Sequence, residues 1–181
     1  MHGKRFISVL MVCSILALVI LAIPASAQED VEKNPTCKCC GVERGAFLHS
    51  RVVVVYEDGT EVGTCSIHCA AIDNVQKLDA APMSIRVGDH DTGKLIDGEK
   101  AFWVIGGKEP GVMTRRPKWA FETKEAAEKF VAAKGGDVTT FEEALRATYE
   151  DMYVDTKMIR EKMKMRKMQS MEREQQPQKG K

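Results

Sequence analysis

Two short clusters hold every cysteine of this chain except Cys13: Cys37-Lys38-Cys39-Cys40 and Cys65-Ser66-Ile67-His68-Cys69. The first contains a CxxC pair, Cys37 and Cys40, and the second a CxxxC pair, Cys65 and Cys69. Paired thiolates are soft donors that suit Cu(I) or Zn(II), and in an oxidising compartment they also form disulfides. Cys65 and Cys69 fall one turn apart at the start of a helix, so their sulfurs share a face and the helix N-terminus favours the thiolate. A disulfide across i and i+4 of an intact helix is strained, which favours a metal at that pair. Cys39 makes a fifth thiol in the two clusters, and an odd count leaves one thiol free, metal-bound or intermolecular.

Other donors lie nearby in sequence. Met113, in a loop beside Gly111, offers a thioether suited to Cu(I). His49 precedes the first strand, close to the first cluster. The spacing turns His68 off the Cys65/Cys69 face, so it reads as a surface histidine, and His90, in Gly88-Asp89-His90-Asp91, reads as a turn residue. The tail carries Met152, Met158, Met163, Met165, Met168 and Met171 among lysines and arginines. Their spacing follows no single face, which favours an interaction helix over a copper-gathering one.

Positioning these groups falls to a simple set of elements. Gln28 to Pro35 is polar and reads as a flexible lead-in. Arg51-Val-Val-Val-Val-Tyr56 is β-branched and reads as a buried strand. Asp58-Gly59 supplies the tight turn of a hairpin, and Glu61 to Thr64 the return strand. That hairpin carries the chain back to its start, so the two cysteine pairs converge. Residues 66–78 repeat Ile67, Ala70 or Ala71, Val75 and Leu78 at helical spacing, and Met83 to Val87 alternates as a strand. The same order recurs: strands at 101–105 and 118–122, a helix capped by Thr123 over 124–134 and stopped by Gly135-Gly136, and a short strand at 137–139. An α+β fold of duplicated β-β-α-β units is therefore expected. A capping box at Thr140-Phe-Glu-Glu143 opens a C-terminal helix that leads into the basic Met-rich tail.

The first 27 residues have the form of a cleavable signal peptide. Lys4 and Arg5 precede an apolar run, and Ala25-Ser26-Ala27 supplies the cleavage site. Cys13 would leave with it, and the product would be periplasmic. The expected layout is then a signal at 1–27, a metal-binding domain at 28–147 and a charged helical tail at 148–181 with a disordered end. Residues 28–156 carry 16 basic against 23 acidic side chains, and residues 157–181 carry 9 against 3. A basic tail on an acidic body is suited to contact with a partner, a membrane surface or the body itself. Nucleic acid is not an expected partner.

The segments Cys37-x-x-Cys40-Gly41, Val55-Tyr56-Glu57-Asp58-Gly59-Thr60, Gly106-Gly107 with Gly111-Val112-Met113, and Ala120-Phe121-Glu122-Thr123-Lys124-Glu125-Ala126-Ala127 through Thr140-Phe141-Glu142-Glu143-Ala144 resemble the NosL family. These are exported copper-binding accessory proteins of nitrous oxide reductase maturation. The resemblance implies a duplicated β-β-α-β fold and a copper role for Cys37, Cys40 and Met113. Val42 stands where the family usually has a methionine, the signal lacks a lipobox, and Cys65-x-x-x-Cys69 is outside the usual pattern. That second pair is similar to the cysteine modules called TRASH domains.

Cys37, Cys40, Cys65, Cys69 and Met113 are thus the candidate ligands, with Cu(I) the expected metal and Zn(II) possible. The reading that follows is a Cu(I) chaperone serving a recipient metalloprotein. The alternative is an interaction domain stapled by zinc or disulfides. The family fold is related to that of organomercurial lyases, and a CxxC can serve thiol oxidoreduction. Here the CxxC precedes a hairpin rather than an activating helix, and no general base is placed beside the thiols, so no enzymatic activity is expected.

Overall fold

The computed structural model describes residues 29–175. The segment read as a signal, with Cys13, and the end of the tail from residue 176 lie outside the described residues. The elements are α1 (Glu29–Lys33), a 3-10 turn (Arg44–Phe47), β1 (Val52–Tyr56), β2 (Glu61–Thr64), α2 (Ile67–Gln76), β3 (Pro82–Gly88) and β4 (Leu95–Asp97). They continue with β5 (Phe102–Ile105), β6 (Lys118–Phe121), α3 (Lys124–Lys134), β7 (Asp137–Thr139) and α4 (Phe141–Gln175).

The repeat is present in the topology. One antiparallel sheet runs β2-β1-β3-β4 and the other β6-β5-β7. In each, the first strand of the unit is central, its hairpin partner lies on one side, and the strand after the helix returns on the other. Val52 pairs with Thr64 and Val87, and Trp103 with Ala120 and Thr139. A parallel bridge from Asp89 to Ala120 joins the sheets. Asp89 strengthens the joint, its carboxylate accepting from the backbone N–H of Glu122 at 2.9 Å.

One core serves both units. Val52, Val54, Tyr56, Ile67 and Val87 of the first pack with Trp103, Ala120, Phe141 and Ala144 of the second and its following helix. A smaller cluster, Val104, Trp119, Phe121, Ala127 and Phe130, fills the other face of the second sheet under α3. Gly59 takes the left-handed φ of +79° that the hairpin turn requires. Gly88 is constrained differently: its N–H donates to the Arg51 carbonyl at 2.8 Å, and any Cβ there would fall on the Leu48 carbonyl oxygen.

Several sequence expectations change. The lead-in is not a free strand of chain: α1 forms, and Asp30 is buried against two buried arginines, 2.8 Å from Arg44 Nη2 and 2.9 Å from Arg51 Nη2. Ion pairing across 14 and 21 residues leaves no periodic trace in the sequence. Val75 and Leu78 are exposed rather than core-facing, because α2 ends at Gln76 and its buried face is made by the first two turns. The short strand β4 adds an edge to the first sheet that the repeat pattern does not contain. α4 runs unbroken for 35 residues, about 52 Å at the rise of an α-helix. Among the described residues no helix is long and apolar enough to cross a membrane.

Candidate metal centre

The first cysteine pair sits in a tight knuckle just before β1. The Cys37 N–H donates to the Val42 carbonyl at 2.8 Å, the Gly41 N–H donates to the Cys37 carbonyl at 2.9 Å, and the Lys38 N–H ties the knuckle to the Gly63 carbonyl of β2 at 3.0 Å. Gly41 supplies the φ of +73° that closes the turn. β2 then delivers Cys65 to the same place, and the first turn of α2 adds Cys69.

Arg44 locks this floor. Its Nε donates to the Thr64 carbonyl at 3.1 Å and its Nη1 to the Asp30 and Asn34 carbonyls at 2.9 and 2.6 Å. Ser50 Oγ donates to the Cys65 carbonyl at 2.9 Å.

The sulfurs of Cys37, Cys40, Cys65 and Cys69 all lie within 4.8 Å of one another. Cys65 Sγ is 3.6 Å from both Cys40 Sγ and Cys69 Sγ. Four sulfurs placed 2.3 Å from a central ion at tetrahedral angles would stand about 3.8 Å apart, so the cage already has the dimensions of a four-thiolate site. Cys37, Cys65 and Cys69 are buried and Cys40 is half-buried, while Cys39 is exposed and outside the set of four.

The protons are shared unevenly. Hydrogen bonds from Cys40, Cys65 and Cys69 hold Cys37 far below the ordinary thiol range. Those of Cys65 and Cys69 are pushed up, first by their contacts with Cys37. For Cys40 the contact with Cys37 raises the value, but those with Cys65 and Cys69 outweigh it and bring it to about 7. The cage thus favours one thiolate that accepts from its neighbours, and a soft cation would displace the remaining protons.

Met113 packs against this cluster together with Cys40, Val42, Phe47 and Val112. It has a φ of +58°, the single left-handed non-glycine among the described residues. The long β5–β6 loop that carries it and the start of β6 are fastened to α4: the Arg115 N–H donates to Asp155 Oδ1 at 2.9 Å, Arg116 Nε to Asp151 Oδ2 at 2.8 Å, and Lys118 Nζ of β6 to the same oxygen at 2.5 Å.

His68 corrects its sequence expectation. It is fully buried, with Nδ1 3.6 Å from Asp155 Oδ2, because α4 covers the side of α2 turned away from the cysteines. Burial lowers its pKa. His90 does lie in a turn, yet its ring packs on Trp119, Phe121 and Phe130 at centroid distances of 4.9 to 5.2 Å, and its Nε2 lies 2.9 Å from Glu109 Oε1.

A cavity of about 460 Å³ opens beside the cage. Cys40, Phe47, His49, Val112 and Met113 form one wall, and Met158, Ile159, Lys162, Met163 and Arg166 of α4 form the other. The α4 wall was missed in the sequence because only a subset of the tail methionines takes part. Positions 158, 159, 162, 163 and 166 do recur at helical spacing, and that stripe was the available signal.

The family model for NosL matches residues 28–149. The chain belongs to the NosL family. No curated protein matches it. Among solved structures it is similar to the copper chaperone NosL from Shewanella denitrificans, at 18% identity and a TM-score of 0.49, over 60% of this chain and 87% of that one. The four-cysteine cage of this chain is built from the CxxC knuckle and the CxxxC helix start together.

Proposed function

We propose that this NosL-family protein is an exported Cu(I) carrier. It holds one ion between Cys37, Cys40, Cys65 and Cys69 and passes it by ligand exchange to a recipient metalloprotein of the cell envelope. The observation that carries the reading is the position of Cys40. Its sulfur belongs to the cage, and the residue also lines the wall of an open cavity, as Met113 does. A purely structural four-thiolate site is closed on all sides, whereas cargo needs one ligand that an incoming donor can reach. Soft sulfur donors favour Cu(I) over harder ions. Export through the 1–27 segment would place the carrier in the periplasm, and the mass of the mature protein recovered there tests that.

Anaerobic competition with a Cu(I) chelator tests the carrier. The reduced chain should retain one Cu(I), and Cys40→Ser, which removes a direct ligand, should weaken retention by at least about 100-fold, the upper range for losing an outer-shell partner of a ligand. Equal retention by a variant lacking all four cage cysteines would overturn the reading. Zinc as a structural staple is the second reading, favoured by the 3.6 Å sulfur spacings. Under that reading the protein would keep Zn(II) in the presence of Cu(I) and unfold when zinc is stripped.

A further inference from the structure

α4 sorts its methionines. Met158 and Met163 line the cavity beside the cage, whereas Met165, Met168 and Met171 do not, although Met163 is exposed to the same degree as those three. Met113 and His49 stand on the opposite wall, and Cys40 marks the boundary with the four-thiol cage. Two sets of sulfur donors therefore meet at one residue.

Their chemistry differs. A thioether is neutral and binds Cu(I) without releasing a proton, but it gives harder ions little. Lys162 and Arg166 on the same helical stripe repel a dication about twice as strongly as a monovalent ion at equal distance, which adds to the discrimination against Zn(II). A chamber of this kind holds Cu(I) more weakly than the thiolates do, as a way-station requires.

We infer that Met113, Met158 and Met163, with His49, form a second Cu(I) site through which the ion enters and leaves the cage by way of Cys40. The inference rests on the Cu(I)-carrier reading. In the inward step one thioether–copper bond breaks as the Cys40 thiolate–copper bond forms. The Cys40 proton leaves to solvent, and the metal remains Cu(I) throughout.

The test uses the full chain labelled with 13C at its methionine methyl groups, titrated anaerobically with Cu(I). The first equivalent should be retained against a chelator. The second should shift the Met158 and Met163 signals and leave Met165 and Met171 still. Met158→Leu with Met163→Leu conserves volume and so keeps the fold. It should weaken the second equivalent and slow transfer from cage to chelator, each by about tenfold, the effect of about 1.4 kcal/mol, whereas Met165→Leu with Met171→Leu should change neither. Still signals at Met158 and Met163, an equal shift along the whole tail, or unchanged transfer in the first double variant would overturn the site. Failure of the carrier reading is separate, because it appears as loss of the first equivalent.

Discussion

The two β-β-α-β units use one local geometry for different ends. Each second strand runs into an extended residue that opens a helix: Ser66, with φ −165° and ψ 169°, and Thr123, with φ −126° and ψ 151°. In the second unit Thr123 Oγ1 accepts from the Ala126 N–H at 3.2 Å, an ordinary cap. In the first unit Ser66 makes no side-chain cap, and its hydroxyl lies 3.9 Å from Cys65 Sγ. Cys65 and Cys69 stand where the second unit has Glu122 and Ala126. The hairpins diverge too, since a tight turn at Asp58-Gly59 in the first unit corresponds to the long loop that brings Met113 across from the second. The scaffold was kept while chemistry was concentrated at one helix start, and the other unit lends it a side chain.

That contrast can be broken most severely at Asp30, which has no counterpart in the second unit. Asp30→Ala leaves Arg44 and Arg51 buried without their carboxylate and should cost about 3–5 kcal/mol in denaturant unfolding. Burial raises the Asp30 pKa, but the hydrogen bonds and charges of Arg51 and Arg44 overcome this and hold it below its ordinary 3.8. A carboxyl depressed on folding contributes fully above its unfolded value, and the contribution drains away as pH falls through the folded one. Wild-type stability should therefore drop more steeply than that of Asp30→Asn below about pH 3.8.

A gentler comparison concerns the helix starts themselves. Thr123→Ala should cost about 1 kcal/mol, the value of a lost cap. Ser66→Ala removes no cap and loses only the 3.9 Å sulfur contact of a buried hydroxyl, so it should cost less than Thr123→Ala. Thermal melts of the two variants check the order, and the reverse order would remove the distinction drawn between the units.

Much of this was legible in the sequence. The β-branched run of residues 51–56 and the Asp58-Gly59 turn located the first hairpin, and Thr123 with Gly135-Gly136 bounded α3. Because a hairpin returns to its origin, convergence of the CxxC and CxxxC pairs followed from local rules. What escaped depended on distant partners. Asp30 looked like one acid in a polar lead-in until Arg44 and Arg51 enclosed it. His68 was turned off the cysteine face as expected, but α4 fills the side where solvent was anticipated. The cavity-facing methionines were hidden by counting them with neighbours that point elsewhere.

Gly88 shows how far from the sulfur the site's precision is set. The backbone of Leu48 rests directly on this hydrogen-sized position of β3, and two residues further along that same segment Ser50 grips the Cys65 carbonyl. A single methyl group at position 88 would push the segment outward and carry Ser50 with it, so the spacing of a cage sulfur is guarded by a residue that has no side chain to reach it.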